Sequence, residues 1–228
     1  MAAALVCGAS ILCAQQPPRA AELTGRVSFP QTARKTHLPA VVVWLSATSK
    51  SPSVRTPSPG KFTLVQKNRM FTPHLLVIPV GSVVSFPNED PFFHNVFSLF
   101  NGKRFDLGLY EAGSTREVEF SREGVSYIFC NIHPEMSAVV ISLSTPLFAI
   151  ADSDAQFTIH SVPAGEYELH VWIEGTLQPA LDRLSRRIVL NEGESESVNI
   201  DASSTYHHSN GHLNMYGKPY DQDTRPPY

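Results

Sequence analysis

Seven consecutive residues, Cys130-Asn-Ile-His133-Pro-Glu-Met136, bring a thiol, an imidazole and a thioether onto one short stretch of chain. Soft sulfur combined with imidazole is the donor set that selects copper, and a weak axial thioether is characteristic of copper used for electron transfer. Such a centre needs one more imidazole. His94, within Asn88-Glu-Asp-Pro-Phe-Phe-His94-Asn95, is well placed to supply it. The candidate metal ligands are therefore His94, Cys130, His133 and Met136, and the expected cofactor is one copper ion.

These side chains need strands to aim them. An apolar run, Gly124-Val-Ser-Tyr-Ile-Phe129, leads into the sulfur-bearing loop, and another, Ala138-Val-Val-Ile-Ser142, leads out. Cys130 at the end of a strand has its direction set by the pleat. Pro134 disfavours helical dihedrals at His133 and keeps the loop extended. The strand-like run from Leu75 to Phe86 precedes His94, which would pin the loop to the other sheet. Phe92, Phe93 and Phe97 are expected to shield the metal from water, the shell on which such sites depend. For Phe97, plain core packing is an equal alternative. His133 is the expected exit for an electron. Glu135 lies inside the loop with nothing to fix its direction. His74, His160 and His170 fall on strand patterns without sulfur neighbours, and each reads as an ordinary satisfied histidine; His37 lies in a loop.

Residues 62–144 resemble a cupredoxin of the plastocyanin, pseudoazurin and amicyanin kind. The likeness is carried by Phe71-Thr-Pro-His-Leu-Leu-Val-Ile-Pro-Val-Gly81, Val83-Val-Ser-Phe86, Asn88, Asp90, the His94-Asn95 pair and the Cys-x2-His-x2-Met spacing of the loop. The short loop is similar to that of amicyanin. The resemblance implies a Greek-key β-sandwich holding a type 1 (blue) copper ion through His94, Cys130, His133 and Met136. It also implies that Asn95 ties the two ligand loops together. Multicopper oxidases and copper nitrite reductases resemble this fold but set His beside the ligand Cys. Here Phe129 and Asn131 flank Cys130, and a dinuclear electron-transfer site would need a second Cys in the loop.

The 228 residues suffice for one large or two small domains, and 18 prolines and 13 glycines with 17% charged residues suit short strands and many turns. A net charge of −3 gives no preference for nucleic acid. Residues 1–14 are uncharged and largely apolar, too short to span a bilayer, and similar to the apolar region of a secretory signal, with cleavage expected after Ala14. Its removal would leave Cys130 as the one thiol of an exported protein, periplasmic or secreted, with no disulfide framework. Ligation to a metal is an obvious occupation for that sulfur; a small buried hydrophobe is the other.

Three regions organise the chain into an all-β protein. Leu23–Pro30 and Ala40–Ala47 read as two strands, and residues 48–61, rich in Ser and Pro, as a linker or an extended crossing. The second region is the cupredoxin-like stretch, with Asn101–Tyr110 expected as a loop. In the third, Tyr167, Leu169, Val171 and Ile173 alternate with Glu166, Glu168, His170 and Trp172, which predicts one buried and one wetter face. Arg186–Leu190 and Ser197–Ile200 add two strands around an Asn191-Glu-Gly turn. Asp152-Ser-Asp-Ala-Gln-Phe-Thr-Ile159 and Val162-Pro-Ala-Gly-Glu-Tyr-Glu-Leu169 resemble the carboxypeptidase regulatory-like module, a small transthyretin-like sandwich. That family opens with a Gly-x-Val strand and an apolar strand ending in Leu, elements found here as Gly25-Arg-Val27 and Val41–Leu45. The expectation is a discontinuous sandwich, residues 22–50 with 146–200, into which residues 62–144 are inserted. The rival is that the first strands extend the cupredoxin-like sheet. Residues 201–228 are polar and aperiodic and read as a mobile or surface-wrapped tail, in which His207, His208, His212 and Met215 could bind metal weakly.

The function expected from these readings is one-electron transfer between unidentified redox partner proteins, without catalysis. Copper storage or delivery, or binding of a partner at the cell surface, is the alternative.

Overall fold

The computed structural model describes residues 19–30, 38–99 and 102–204. The residue 1–14 segment, His37 and the tail histidines with Met215 lie outside the described residues. The chain is all-β, as expected, with one short helix among the described residues, α1 (Gln178–Asp182). In order the strands are β1 (Ala21–Ser28), β2 (Val41–Ala47), β3 (Lys61–Thr63), β4 (Val65–Lys67), β5 (Met70–Thr72), β6 (Leu75–Pro79), β7 (Ser82–Pro87), β8 (His94–Ser98) and β9 (Phe105–Tyr110). They continue with β10 (Thr115–Phe120), β11 (Gly124–Phe129), β12 (Ser137–Leu143), β13 (Phe148–Ile150), β14 (Gln156–Val162), β15 (Gly165–Ile173), β16 (Arg186–Leu190) and β17 (Ser195–Asp201).

Strands β3 to β12 make one sandwich. Its sheets have the orders β10-β7-β3 and β6-β12-β11-β8-β9, with the β4-β5 hairpin alongside. Two pairings are parallel, β3 with β7 and β6 with β12. The remaining strands form sheets of order β14-β1-β17 and β13-β2-β15-β16. Thus β1 pairs antiparallel with β14 and parallel with β17, while β2 lies between β13 and β15. The early strands belong with the late ones and not with β3 to β12. Gly25 shows why a small residue is needed in β1: a Cβ there would lie 2.5 Å from the Phe157 ring and 2.6 Å from the Val198 carbonyl oxygen.

Strand β12 is apolar on both faces because it serves two cores. Ala138 and Val140 pack with Phe86, Val96, Ile128 and Cys130 inside the first sandwich. Val139, Ile141 and Leu143 point the other way and join Leu23, Val43, Leu45, Val171 and Trp172 in the second core. An apolar run without alternation is what a strand covered on both faces requires.

The same contact alters the pattern of β15. Tyr167, Leu169, Val171 and Ile173 are buried as the alternation predicts, but Trp172 on the opposite face is only 1% exposed. The neighbouring sandwich covers that end, and Trp172 donates its indole N–H to the Tyr127 hydroxyl at 3.0 Å. Asn101–Tyr110 also departs from expectation: from Phe105 onward it is a strand, β9, paired to β8 across a register shift between Asn95 and Phe97. Gly108, at φ +66°, breaks the apolar alternation that would have marked it.

Candidate metal centre

The loop between β11 and β12 folds back on itself. The Met136 N–H donates to the His133 carbonyl at 3.0 Å, and the Cys130 N–H reaches the Met136 carbonyl at 3.3 Å. Because Phe129 pairs with Ser137 across the two strands, the intervening residues form a closed turn at the sheet's end.

The segment before β8 is built on side chains that mimic backbone turns. Asn88 accepts the Asp90 N–H at 3.0 Å and donates to the Phe92 carbonyl at 2.8 Å. The Asp90 carboxylate accepts the N–H groups of Asn68 at 2.7 Å and Arg69 at 3.0 Å. These two residues form the β4–β5 turn at φ +55° and +56°. Left-handed backbone at two successive non-glycine residues costs energy, and the Asp90 carboxylate, 5% exposed, offsets it with two charge-assisted bonds.

From these two supports three donor atoms converge. His94 Nδ1 and His133 Nδ1 each lie 3.7 Å from Cys130 Sγ, and 3.1 Å from each other. Bonds of about 2.0 Å to nitrogen and about 2.3 Å to sulfur, the lengths found at zinc sites, put N and S about 3.7 Å apart at ~120°. Two such nitrogens at about 3.1 Å subtend roughly 100°. The three donors are spaced to share one first-row ion. No other cluster of three or more metal-type His, Cys, Asp or Glu donors occurs among the described residues. Met136, 0% exposed, is packed in the same core as Cys130.

The protonation pattern suits ligation. The remaining nitrogen of His94, Nε2, is 2.8 Å from Asp90 Oδ2. A carboxylate there requires Nε2 to carry the proton, which leaves the Nδ1 lone pair facing Cys130. Burial acts to raise the Asp90 carboxyl, but the Arg69, His94 and Asn68 N–H groups together hold it below the ordinary range. Burial, reinforced by the nearby His94, lowers His133 and keeps its imidazole neutral. Burial pushes the Cys130 thiol up, opposed by the backbone N–H groups of Asn95, Ile132 and His133, which favour the thiolate. An ion that displaced the thiol proton would overcome that burial.

The other expected residues divide. Asn95 accepts the Asn131 N–H at 3.2 Å, joining the two ligand-bearing segments, and donates to Asp106 at 2.7 Å. Phe92 covers the site, its ring centroid 5.2 Å from that of His94 and 5.5 Å from that of His133, with the Arg69 guanidinium 5.3 Å from its centroid. Phe93 does not shield it: this side chain is 55% exposed, because the residue before an inward-facing His94 faces outward. Phe97 is fully buried against Phe129, with centroids 5.8 Å apart, and belongs to the core. His160 pairs with Glu22 at 2.7 Å and His170 stacks on Trp44, so neither joins the cluster. The pairing of Asp90 with His94 goes beyond what local pattern predicts. Its one sign in the sequence is a carboxylate four residues before a histidine, shortly after an Asn.

No family model matches the chain, and no curated protein matches it. Among solved structures, a purple cupredoxin from Nitrosopumilus maritimus is 28% identical, with 36% of this chain and 98% of that one covered and a TM-score of 0.32. The copper-containing nitrite reductase of Thermus scotoductus is 22% identical over 52% of this chain and 28% of its own length, with a TM-score of 0.35. Amicyanin from Paracoccus versutus is 18% identical over 44% and 97%, with a TM-score of 0.34. Likenesses of this extent carry no functional argument, which has to come from the donor atoms.

Proposed function

We propose that His94, Cys130, His133 and Met136 hold a single type 1 (blue) copper ion and that the protein carries one electron at a time between partner proteins. The observation that carries this reading is the convergence of His94 Nδ1, Cys130 Sγ and His133 Nδ1 at 3.1–3.7 Å in a buried site. When bound, copper supplies the reversible one-electron couple. The chain's part is to hold donors that suit both oxidation states tolerably, so that little moves when the electron does. Asp90 orients one imidazole, Asn95 locks the two loops together, and Phe92 keeps water out.

Electron exit through His133 is supported by access: it is 8% exposed, against 0% for His94, Cys130 and Met136. Four exposed large hydrophobic residues neighbour the ligand-bearing segments along the chain or across strand pairing. Phe93 and Ile132 adjoin His94 and His133, Leu109 pairs with Asn95, and Met70 follows Arg69. Clustered apolar side chains mark an interaction surface more than scattered ones do, and a redox partner docking there would meet His133. Phe129 and Asn131, the neighbours of Cys130, offer no donor for a second copper centre, which favours a carrier over an enzyme.

We read residues 22–50 and 146–200 as one discontinuous sandwich with residues 62–144 inserted, supported by the pairing of β1 and β2 with β13, β14, β15 and β17. Its assignment as a carboxypeptidase regulatory-like module rests on residues 152–169 and on Gly25-Arg-Val27. Export to the periplasm or beyond is supported by the composition of residues 1–14.

The test is a visible spectrum of the purified protein after copper addition, followed by redox cycling. An intense blue band that bleaches and returns supports the carrier; a colourless Cu(II) complex, or tight Cu(I) that never oxidises, points to delivery or storage. Met136→Leu is expected to keep the colour and raise the reduction potential, since a weak donor to Cu(II) is lost. Voltammetry checks this, and an unchanged potential counts against Met136 as the axial ligand.

A further inference from the structure

Glu174 lies just past the end of β15, in the second sandwich, yet it reaches His74, immediately before β6 in the first. Its Oε1 is 2.5 Å from His74 Nε2. The other ring nitrogen, Nδ1, is 3.1 Å from the carbonyl oxygen of Ser137, the residue after Met136. The His74 backbone grips the same strand, its carbonyl accepting the Val139 N–H at 2.8 Å. Glu174 is itself anchored, its N–H donating to the Ala40 carbonyl at 2.9 Å and Oε2 accepting the Ala40 N–H at 3.4 Å.

Both partners of the ring are acceptors, so both nitrogens must carry protons: only the imidazolium satisfies the two contacts together. We infer that the second sandwich acts as a clamp on the ligand loop, Glu174 orienting His74 and His74 holding the Ser137 carbonyl, so that Met136 is positioned from the neighbouring module. As a statement about copper this rests on the proposed metal site; as a statement about the loop it does not.

The Glu174 carboxylate raises His74 above its ordinary value, against the effect of burial. Glu174 is the charged group facing the ring from beyond β15, and β12 presents the Ser137 carbonyl. A raised value in the folded state means that the contribution is complete below the ordinary histidine value and is lost as pH rises through the folded one. Neutral His74 keeps one N–H and must release one acceptor. The pair is half exposed, with side-chain accessibilities of 47% and 36%, so its effect is modest. Exposed pairs correspond to at most about fivefold in an equilibrium.

The test uses the full chain, first without metal. Amide hydrogen exchange at Met136 and Cys130 is expected to accelerate about two- to fivefold in His74→Phe and Glu174→Gln. Trp172→Phe, which removes a different hydrogen bond between the modules, should leave it unchanged. With the intrinsic base catalysis of amide exchange divided out, raising the pH should lower the protection of the Met136 and Cys130 amides in the wild type, and Glu174→Gln should move that transition to lower pH. In the copper-loaded protein, His74→Phe and Glu174→Gln should shift the intense blue band, and Trp172→Phe should not. Unchanged exchange in both clamp variants overturns the inference. So does equal acceleration in Trp172→Phe, which would make the effect one of general docking. A wild type that takes up no copper, with the exchange effect intact, overturns the copper assignment and supports the clamp.

Discussion

Cys130→Ser is expected to abolish the intense visible band and to weaken copper binding by more than the roughly 10–100-fold typical of losing an outer-shell partner. Serine replaces a soft, ionisable sulfur with a hard hydroxyl that stays protonated at neutral pH, and the covalent character of the metal–thiolate bond goes with it. Folding is expected to survive. A buried hydroxyl left without partners costs about 1–3 kcal/mol, but the backbone N–H groups of Asn95, Ile132 and His133 already face this position and can donate to the oxygen. Copper titration with absorbance and a thermal melt of the same sample separate the two effects. Retention of the blue band would refute Cys130 as ligand.

Asp90→Asn is expected to lower copper affinity by about 10–100-fold without removing a ligand. The carboxylate uses both oxygens at once: Oδ1 accepts the Asn68 N–H, while Oδ2 accepts the Arg69 N–H and the His94 Nε2–H. An asparagine has one carbonyl oxygen and one NH2. Whichever way the amide turns, it sets a donor against a donor, at the turn or at the imidazole. Either the strained 68–69 turn loosens or His94 loses the bond that fixes its tautomer. A competition titration against a chelator measures the affinity. Asp90→Glu, which keeps the charge but lengthens the arm, should recover part of it if the acceptor count is what matters. Wild-type affinity in Asp90→Asn would show that His94 is oriented by packing alone.

The donor atoms were legible in the sequence because their chemistry is unusual and three of them share one loop. The strands that hold them were legible for a related reason: Gly124–Phe129 and Ala138–Ser142 are apolar runs bounded by polar turns. What escaped depends on contacts between distant residues. Strand β9 is interrupted by Gly108, and the β4–β5 hairpin turns at Asn68-Arg69, a pair with no glycine to announce a left-handed turn. The acceptor that makes this turn tolerable lies 22 residues on, at Asp90. Trp172 reads as the wetter side of β15 until a second sandwich covers it, and Phe93 reads as a shield until the chain places its neighbour inward. Local pattern predicts the elements; which faces end up dry is settled by what packs against them.

Because β12 has apolar side chains on both surfaces, the ligand-bearing part of the chain is poorly suited to life alone. Excised as residues 62–144, it would bare Val139, Ile141 and Leu143, together with Leu75, Val77 and Tyr127, to water along one broad wall. Such a wall drives self-association, so a truncated fragment should clump unless those positions are rewritten with charge.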